Sequence, residues 1–310
     1  MVSRRSRTDS SLHRVGLVTC ARLPRLDDDT RRLIAPLNAR GVDAVPVVWD
    51  DPVVDWTALD LAVVRCCWDY VARRTEFLAW ANAVPRLANP PDVIDWNTDK
   101  RYLIDLADAG VPIVPTTWID PDQTWTPPRS GDWVIKPAIS IASLDTGRYR
   151  VADAGERRLA VSHVRGLRAE GRTVMIQPYL RDVDYDGESS LVFFGGAFSH
   201  AMRKEAVLDG PDVGLDRRFL PQGGLDLRPR YPSRAQLAVA ERALAAVPGG
   251  PDRLLYARVD LVPGPGGAPV LMELELTEPQ LYFGLVPEAA ERFAAAVAAR
   301  VRTTQRRASA

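Results

Sequence analysis

Lysine is close to absent from this chain. Of forty basic residues only Lys100, Lys136 and Lys204 are lysines, and the rest are arginine. With guanidinium as the default surface cation, the three retained ammonium groups mark positions where a compact, rotatable point charge is needed. Cysteine (Cys20, Cys66, Cys67) and histidine (His13, His163, His200) are equally sparse. Two of the cysteines are sequence neighbours and the histidines are widely scattered. That excludes a disulfide framework and a zinc-ligand spacing, and it places no histidine beside a cysteine to activate it. Net charge is also lacking: forty acidic residues balance forty basic ones, so there is no global field for nucleic acid or an anionic membrane. No apolar run approaches the ~20 residues that span a bilayer, and no secretory h-region follows the early arginines. A cytoplasmic, reducing setting is expected, without nucleic-acid or membrane partners. Neither G-x-G-x-x-G nor G-x-x-x-x-G-K-[ST] occurs, so both common glycine-rich phosphate loops are excluded.

What remains is 310 residues, 46% apolar, enough for a large core and about two domains. Strand-like and helix-like segments alternate over 14–90: strands at 15–19, 42–49 and 59–65, a helix over 28–40 kinked at Pro36, and another over 74–84. This pattern predicts a parallel sheet covered on both faces. Residues 89–91 read as a linker. Thr98 then reads as the N-cap of a helix running to Gly110, with Lys100 at its second position, where a bound phosphate would reverse the unfavourable dipole term. Strands are expected at 133–136 and 174–177, around an irregular small-residue segment over 138–148 and a helix over 155–169. Gly195-Gly196 predicts a hairpin of 188–194 and 197–204 in which Glu188 faces Arg203. A long loop over 205–232, a helix over 233–247, a second hairpin (254–262 and 269–276) and a terminal helix over 287–301 complete the chain.

The second hairpin carries the densest charge. Period-2 alternation puts Arg258 and Asp260 on one face of its outgoing strand, and Glu273 and Glu275 on one face of its return strand. If 262 pairs with 269, Asp260 faces Leu271, Arg258 faces Glu273, and all four charged groups share a face. Two readings are open: the wet side of an antiparallel sheet, or a Mg²⁺ site with an arginine beside it for a phosphate. Lys136-Pro137 ends a strand before Ala138–Ser143, whose small side chains let backbone amides approach phosphates. Gln177-Pro178-Tyr179-Leu180 reads as a hinge whose backbone can meet an adenine edge, with Asp184 nearby for ribose hydroxyls. Arg65, Trp68 and Asp69 lie at the carboxyl end of a predicted parallel strand, the edge where open α/β sheets bind ligands.

The order of these pieces resembles the ATP-grasp superfamily over residues 14–300. It is most similar to the small amino-acid ligases: D-alanine–D-alanine ligase, glutathione synthetase and the O-ureidoserine cyclo-ligase group of cycloserine biosynthesis. The segments Trp96–Tyr102 and Arg65…Tyr70 are closest to the last group. The resemblance implies an ATP-grasp fold, α/β at the N-terminus and α+β in the C-terminal part. A disordered tail (1–13) would precede a Rossmann-like domain (14–95), a central lid subdomain (96–180), a C-terminal subdomain with the metal site (181–303) and a tail (304–310). It implies ATP and one or two Mg²⁺ ions. Lys100 and Lys136 would hold phosphates, Gln177, Tyr179 and Leu180 the adenine, and Asp184 the ribose. Asp260, Glu273 and Glu275 would bind metal. Arg258 would stabilise an acyl phosphate, with Arg203 and Lys204 near the γ-phosphate and the 205–232 loop as a mobile cover. Two departures stand out: Glu275 occupies a position usually held by Asn, and the loop after Lys136 is poor in glycine. The implied reaction converts an amino-acid-type carboxylate to an acyl phosphate and then forms a C–N bond, either within one small-molecule substrate or between two, as in γ-glutamyl or dipeptide ligases. A non-catalytic nucleotide-binding module is the alternative from another class. A homodimer follows by family analogy.

Overall fold

The computed structural model describes residues 13–211 and 226–308. The expected 1–13 tail (His13 apart), the middle of the 205–232 loop and residues 309–310 lie outside the described residues. Three four- or five-stranded sheets follow one another along the chain. The first is parallel, with spatial order β2-β1-β3-β4, formed by β1 (His13–Thr19), β2 (Val42–Val48), β3 (Leu61–Cys66) and β4 (Leu87–Ala88). Every residue of β3 is buried, as a strand covered on both faces requires. The single helix expected over 28–40 is instead two, α1 (Asp28–Arg31) and α2 (Ile34–Asn38). Proline at 36 cannot bond back to the carbonyl of Arg32 and clashes with it, so the chain breaks there and Pro36 falls in the first turn of α2. The sheet is completed by α3 (Arg74–Ala83).

Of the expected linker, residues 89 and 90 are irregular and the last opens a helix: α4 (Pro91–Asn97) begins with proline at its first position, where the missing N–H costs nothing. Thr98 is therefore the end of α4 and not the start of the next helix, α5 (Tyr102–Asp108). Lys100 sits in the turn between them, so its placement owes nothing to a helix dipole. The second sheet, order β5-β8-β6-β7, joins β5 (Thr117–Ile119), β6 (Asp132–Pro137), β7 (Gly147–Arg150) and β8 (Val174–Pro178) under α6 (Ala154–Ala169). Asp153 caps α6 through the amides of Gly155 and Glu156.

After the short α7 (Val183–Asp186), the third sheet is antiparallel, order β11-β10-β9-β12-β13. It contains β9 (Glu188–Phe194), β10 (Ala197–Lys204), β11 (Leu227–Pro229), β12 (Tyr256–Pro263) and β13 (Pro269–Glu275). Between β11 and β12 lies α8 (Arg234–Ala245), and β11 gives the 205–232 segment a strand that the sequence did not suggest. Both hairpin registers differ from expectation: the first by a one-residue bulge, the second by a turn that pairs Pro263 with Pro269 and a further one-residue bulge. An irregularity between Phe198 and His200 brings Glu188 opposite Lys204 instead of Arg203. A second, between Asp260 and Leu261, sets Asp260 opposite Glu273 and Arg258 opposite Glu275. The C-terminal helix α9 (Pro287–Ala308) extends past the expected 301 and buries Phe293, Val297 and Val301 in the largest core cluster, together with Leu17 and Val63 of the parallel sheet and Phe194 and Tyr256 of the third. No helix among the described residues is long and apolar enough to cross a membrane.

Within this core His200 donates from Nε2 to the Leu281 carbonyl (2.9 Å) and accepts at Nδ1 from Ser199 Oγ (2.9 Å). Burial pushes its pKa down to about 4. Below pH ~6.5 the unfolded chain therefore binds a proton that the folded chain refuses, and stability falls toward pH 4, by up to about 3 kcal/mol for this group. Denaturant unfolding at pH 7 and pH 4.5 should show His200→Gln losing less stability on acidification than the parent; equal losses would contradict this.

Candidate active site

The three lysines, far apart in sequence, converge. Lys100 comes from the α4–α5 turn, Lys136 from the end of β6 and Lys204 from the end of β10. Lys100 Nζ donates to the Ser140 carbonyl (2.6 Å) and pairs with Glu273 Oε1 (3.1 Å). Its backbone amide bonds the Ala138 carbonyl (2.9 Å), which ties the α4–α5 turn to the end of β6. Lys136 is buried. Desolvation pushes its pKa below the usual lysine value, Glu273 opposes that, and the charges of Lys100 and Lys204 reinforce it. Lys204 Nζ reaches Glu188 Oε1 (2.8 Å); burial acts to lower its pKa, yet Glu188 and Asp260 hold it above the ordinary value. Three ammonium groups thus share one electrostatic neighbourhood, and a polyanion is the ligand that such a cluster suits.

Opposite them stand the carboxylates of the third sheet. Alternation along β12, with Asp260 opposite Ser190 on β9 and Glu273 on β13, puts Arg258, Asp260, Glu273 and Glu275 on one face, as expected, although the register is shifted. Arg258 is buried and rigidly held. Its Nε and Nη2 reach Asp260 (2.9 Å to each oxygen in turn), Nη1 donates to the Gln280 carbonyl (3.2 Å), and Nη2 also pairs with Glu275. Burial would raise the Glu273 carboxyl, but Lys100 and Lys136 together hold it below its usual value. Glu275 has no such excess of cations: burial pushes it up to about 8, with Asp260, Glu273 and Glu278 adding to the effect of burial and Arg258 opposing it.

Several residues here escaped sequence reasoning. Glu278 is half-buried, hydrogen-bonded to Tyr70 and pushed up to about 7 by desolvation. Tyr282 has a left-handed backbone (φ 59°), donates to Ser190 Oγ (3.4 Å) and lies under Arg258, 5.7 Å from its ring centroid. Neither residue belongs to a strand, so no alternation pointed to it. Glu188 was visible only as a hairpin partner.

Other expected residues take different places. Arg203 pairs with Ser189 and so faces away from Lys204; its Nε and Nη2 hold the Asp186 and Tyr185 carbonyls (2.9 and 3.1 Å). The structure thus gives it a turn-holding role and sets Lys204 at the cluster. Arg65 is a correction of the same kind. It is 2% exposed, donates to the Pro279 carbonyl (2.8 Å) and lies against the Tyr256 ring, walled off from an open sheet edge. Asp69 accepts from Trp49 Nε1 (3.0 Å), and Trp68 is half-buried beside it. Gln177 is buried, with its side-chain amide on Thr116 Oγ1 (2.9 Å). The Tyr179 amide is spent on the Asp132 carbonyl (2.8 Å), its hydroxyl on Asp184, and its ring stacks under Arg148 at 3.5 Å. Leu180 packs on a small cluster with Val114, Val262 and Val270.

The loop after Lys136 bears out its glycine poverty in an unusual way. Ala142, Ser143 and Asp145 all adopt left-handed backbone (φ 48°, 56° and 53°). Each costs about 1–2 kcal/mol in a residue with a Cβ. Ala142→Gly should raise the free energy of unfolding by up to about 1 kcal/mol, once the added freedom of the unfolded glycine is allowed for. Denaturant titration checks this, and a loss of stability would contradict it.

Among the described residues no three His, Cys, Asp or Glu side chains are grouped to cage a metal unaided. Mg²⁺ does not require such a cage, since it takes one or two carboxylates and fills its shell with water and phosphate oxygens. Half-exposed Glu273 and Glu275 beside buried Asp260, with Glu275 and Glu278 pushed upward by burial and by one another's charge, are carboxylates that could hold a divalent cation. The three cysteines are free and buried, and the Cys66 thiol is pushed up to about 12 by burial, so none is an activated nucleophile.

The family model for the N-terminal domain of D-cycloserine synthetase DcsG matches residues 15–89. The cycloserine biosynthesis protein DcsG of Streptomyces lavendulae is 38% identical over 306 residues, covering 93% of this chain and 99% of that protein. A crystal structure of D-cycloserine synthetase DcsG superposes with a TM-score of 0.80 at 35% identity, over 93% of this chain and 99% of that one. A RimK-domain ATP-grasp protein from Sphaerobacter thermophilus shares the fold, with a TM-score of 0.63 at 17% identity over 93% and 99% of the two chains.

Proposed function

The chain belongs to the DcsG family of ATP-grasp ligases, and from that premise we propose that it closes the ring of an O-ureidoserine-type substrate at the expense of ATP. The observation that carries this reading is the convergence of Lys100, Lys136 and Lys204 on the acidic face formed by Asp260, Glu273 and Glu275. A free carboxylate is a poor acylating group because oxide leaves badly, and transfer of the γ-phosphoryl group supplies the leaving group. No side-chain nucleophile is required. Catalysis then consists of in-line positioning and charge neutralisation.

In this scheme Lys100, Lys136 and Lys204 bind the phosphate oxygens. Glu273, which occupies Lys100 in the resting protein, exchanges that partner when the triphosphate arrives. Asp260, Glu273 and Glu275 would hold Mg²⁺, whose contribution is to neutralise charge on the transferring group. Arg258 is already oriented by Asp260 and the Gln280 carbonyl, so its guanidinium stabilises acyl-phosphate charge without reorganising. Gln177, Tyr179, Leu180 and Asp184 border the nucleoside end. Glu275, where the family usually has Asn, brings an extra carboxylate that Arg258 neutralises.

ADP release measured with O-ureidoserine alone, and then with pairs of amino acids, tests the proposal. Release with the single substrate and formation of a cyclic product are expected. Release only with pairs would show a two-substrate ligase, and tight ATP binding without ADP formation on any substrate would show a nucleotide-binding module.

A further inference from the structure

The segment between β13 and α9, residues 276–286, has no regular secondary structure, yet its backbone is tied down almost residue by residue. The Leu276 carbonyl accepts from Asn89 Nδ2 (2.7 Å), that of Thr277 from the Tyr256 hydroxyl (2.8 Å) and that of Pro279 from Arg65 Nη2 (2.8 Å). The Gln280 carbonyl accepts from Arg258 and the Leu281 carbonyl from His200 Nε2 (2.9 Å), while the Gly284 amide donates to Asp29 Oδ1 (2.8 Å). Side chains normally leave such carbonyls to water or to other backbone. Here five of them, plus one amide, are claimed by side chains from both the parallel and the antiparallel sheets. The same strap carries Glu278 and Tyr282 to the carboxylate face, and holding Tyr282 in left-handed backbone requires its surroundings to over-determine it.

Two of these anchors are charged and come from the parallel sheet and the helix that follows its first strand. Arg65 leaves β3 and Asp29 lies in α1, and they flank the strap at Pro279 and Gly284. Each retains buried polar atoms with no hydrogen-bond partner: Nε and Nη1 of Arg65 and Oδ2 of Asp29. Such orphaned atoms destabilise a fold. An apolar residue would fill these positions at lower cost if packing were their only task.

We propose that Arg65 and Asp29 are positioning residues for the ligase reaction: by clamping the strap from the N-terminal sheet they fix Arg258, Tyr282 and Glu278 relative to the bound phosphates. Arg258 is the link, since its Nη1 rests on the Gln280 carbonyl, next to the carbonyl that Arg65 holds. The clamp acts on the geometry of the reacting groups and not on the lysines, so it governs turnover and leaves nucleotide affinity alone. The inference rests on the ligase reading above, and its test has one readout that does not.

The variants are Arg65→Met, Arg65→Lys, Asp29→Ala and Asp29→Asn. Asp29→Asn keeps the acceptor oxygen for Gly284, and Arg65→Lys keeps one donor for Pro279. Amide hydrogen exchange of the 277–286 peptide, read alongside peptides of β3 and α9, should accelerate at least tenfold in Arg65→Met and Asp29→Ala only within the strap. Asp29→Asn should match the parent and Arg65→Lys fall between. With O-ureidoserine as substrate, kcat should fall tenfold or more in the two disruptive variants, while the Kd of an ATP analogue stays within threefold. Unchanged strap exchange overturns the proposal, and so does faster exchange with an unchanged kcat. If Arg65→Met fails to fold, the Asp29→Ala and Asp29→Asn pair decides alone. If the parent releases no ADP with this substrate, the ligase reading falls, and the clamp is judged on exchange.

Discussion

Lys136→Met should lower kcat about 10²–10³-fold at saturating ATP and Mg²⁺, the loss expected when one preorganised donor to a charged transition state is removed. The same variant should fold at least as stably as the parent. Lys136 is buried with its pKa pushed down by desolvation, in the company of two other ammonium groups, so in the nucleotide-free protein its charge is a burden. Methionine fills nearly the same volume without it. The paired outcome, lost activity with retained or increased denaturant midpoint, separates a phosphate-binding role from a structural one. Near-parental turnover would remove Lys136 from the site.

Glu273→Ala should behave in the opposite way toward stability. Glu273 is the carboxylate that both Lys100 and Lys136 lean on. Without it two closely placed ammonium groups lack compensation, a situation that typically costs about 3–5 kcal/mol when one partner of a buried pair is removed. Turnover should fall by at least 10²-fold, because a proposed metal ligand goes with it. Binding of free nucleotide in the absence of Mg²⁺ should strengthen, since the cleft becomes more positive. Calorimetric titration with and without Mg²⁺, beside a denaturation curve, checks all three signs. Weaker Mg²⁺-free binding would show that Glu273 does not face the phosphates.

Much of this site was legible in the sequence because it rests on composition and period. A chain that uses arginine almost everywhere else keeps lysine at three positions, and all three meet. Alternation alone put Arg258, Asp260, Glu273 and Glu275 on a common face. What alternation cannot reveal is a bulge. One extra residue moved Lys204 opposite Glu188 and turned Arg203 away from it, and a one-residue shift at the turn plus a bulge moved Arg258 opposite Glu275. The misplaced start of α5 had a similar origin: Thr98 is a good N-cap residue by type, but Pro91 had already begun α4, and a threonine can end a helix as well as open one. Arg65 was assigned to substrate by the rule for open sheet edges. The rule fails here because residues 276–286, more than two hundred positions away, cover that edge. Glu278 and Tyr282 ride on this same irregular strap, where no periodic signal exists to be read.

The most direct measurement is a crystal structure of the full chain with a non-hydrolysable ATP analogue and Mg²⁺. The account predicts β- and γ-phosphate oxygens within hydrogen-bonding distance, ~3 Å, of the Nζ atoms of Lys136 and Lys100, with Lys204 on the γ-phosphate side and Mg²⁺ between the phosphates and Glu273. Phosphates seated instead in the cavity of about 430 Å³ lined by Arg148, Arg150 and Asp184, with Lys100 still paired to Glu273 and Lys204 to Glu188, would contradict it.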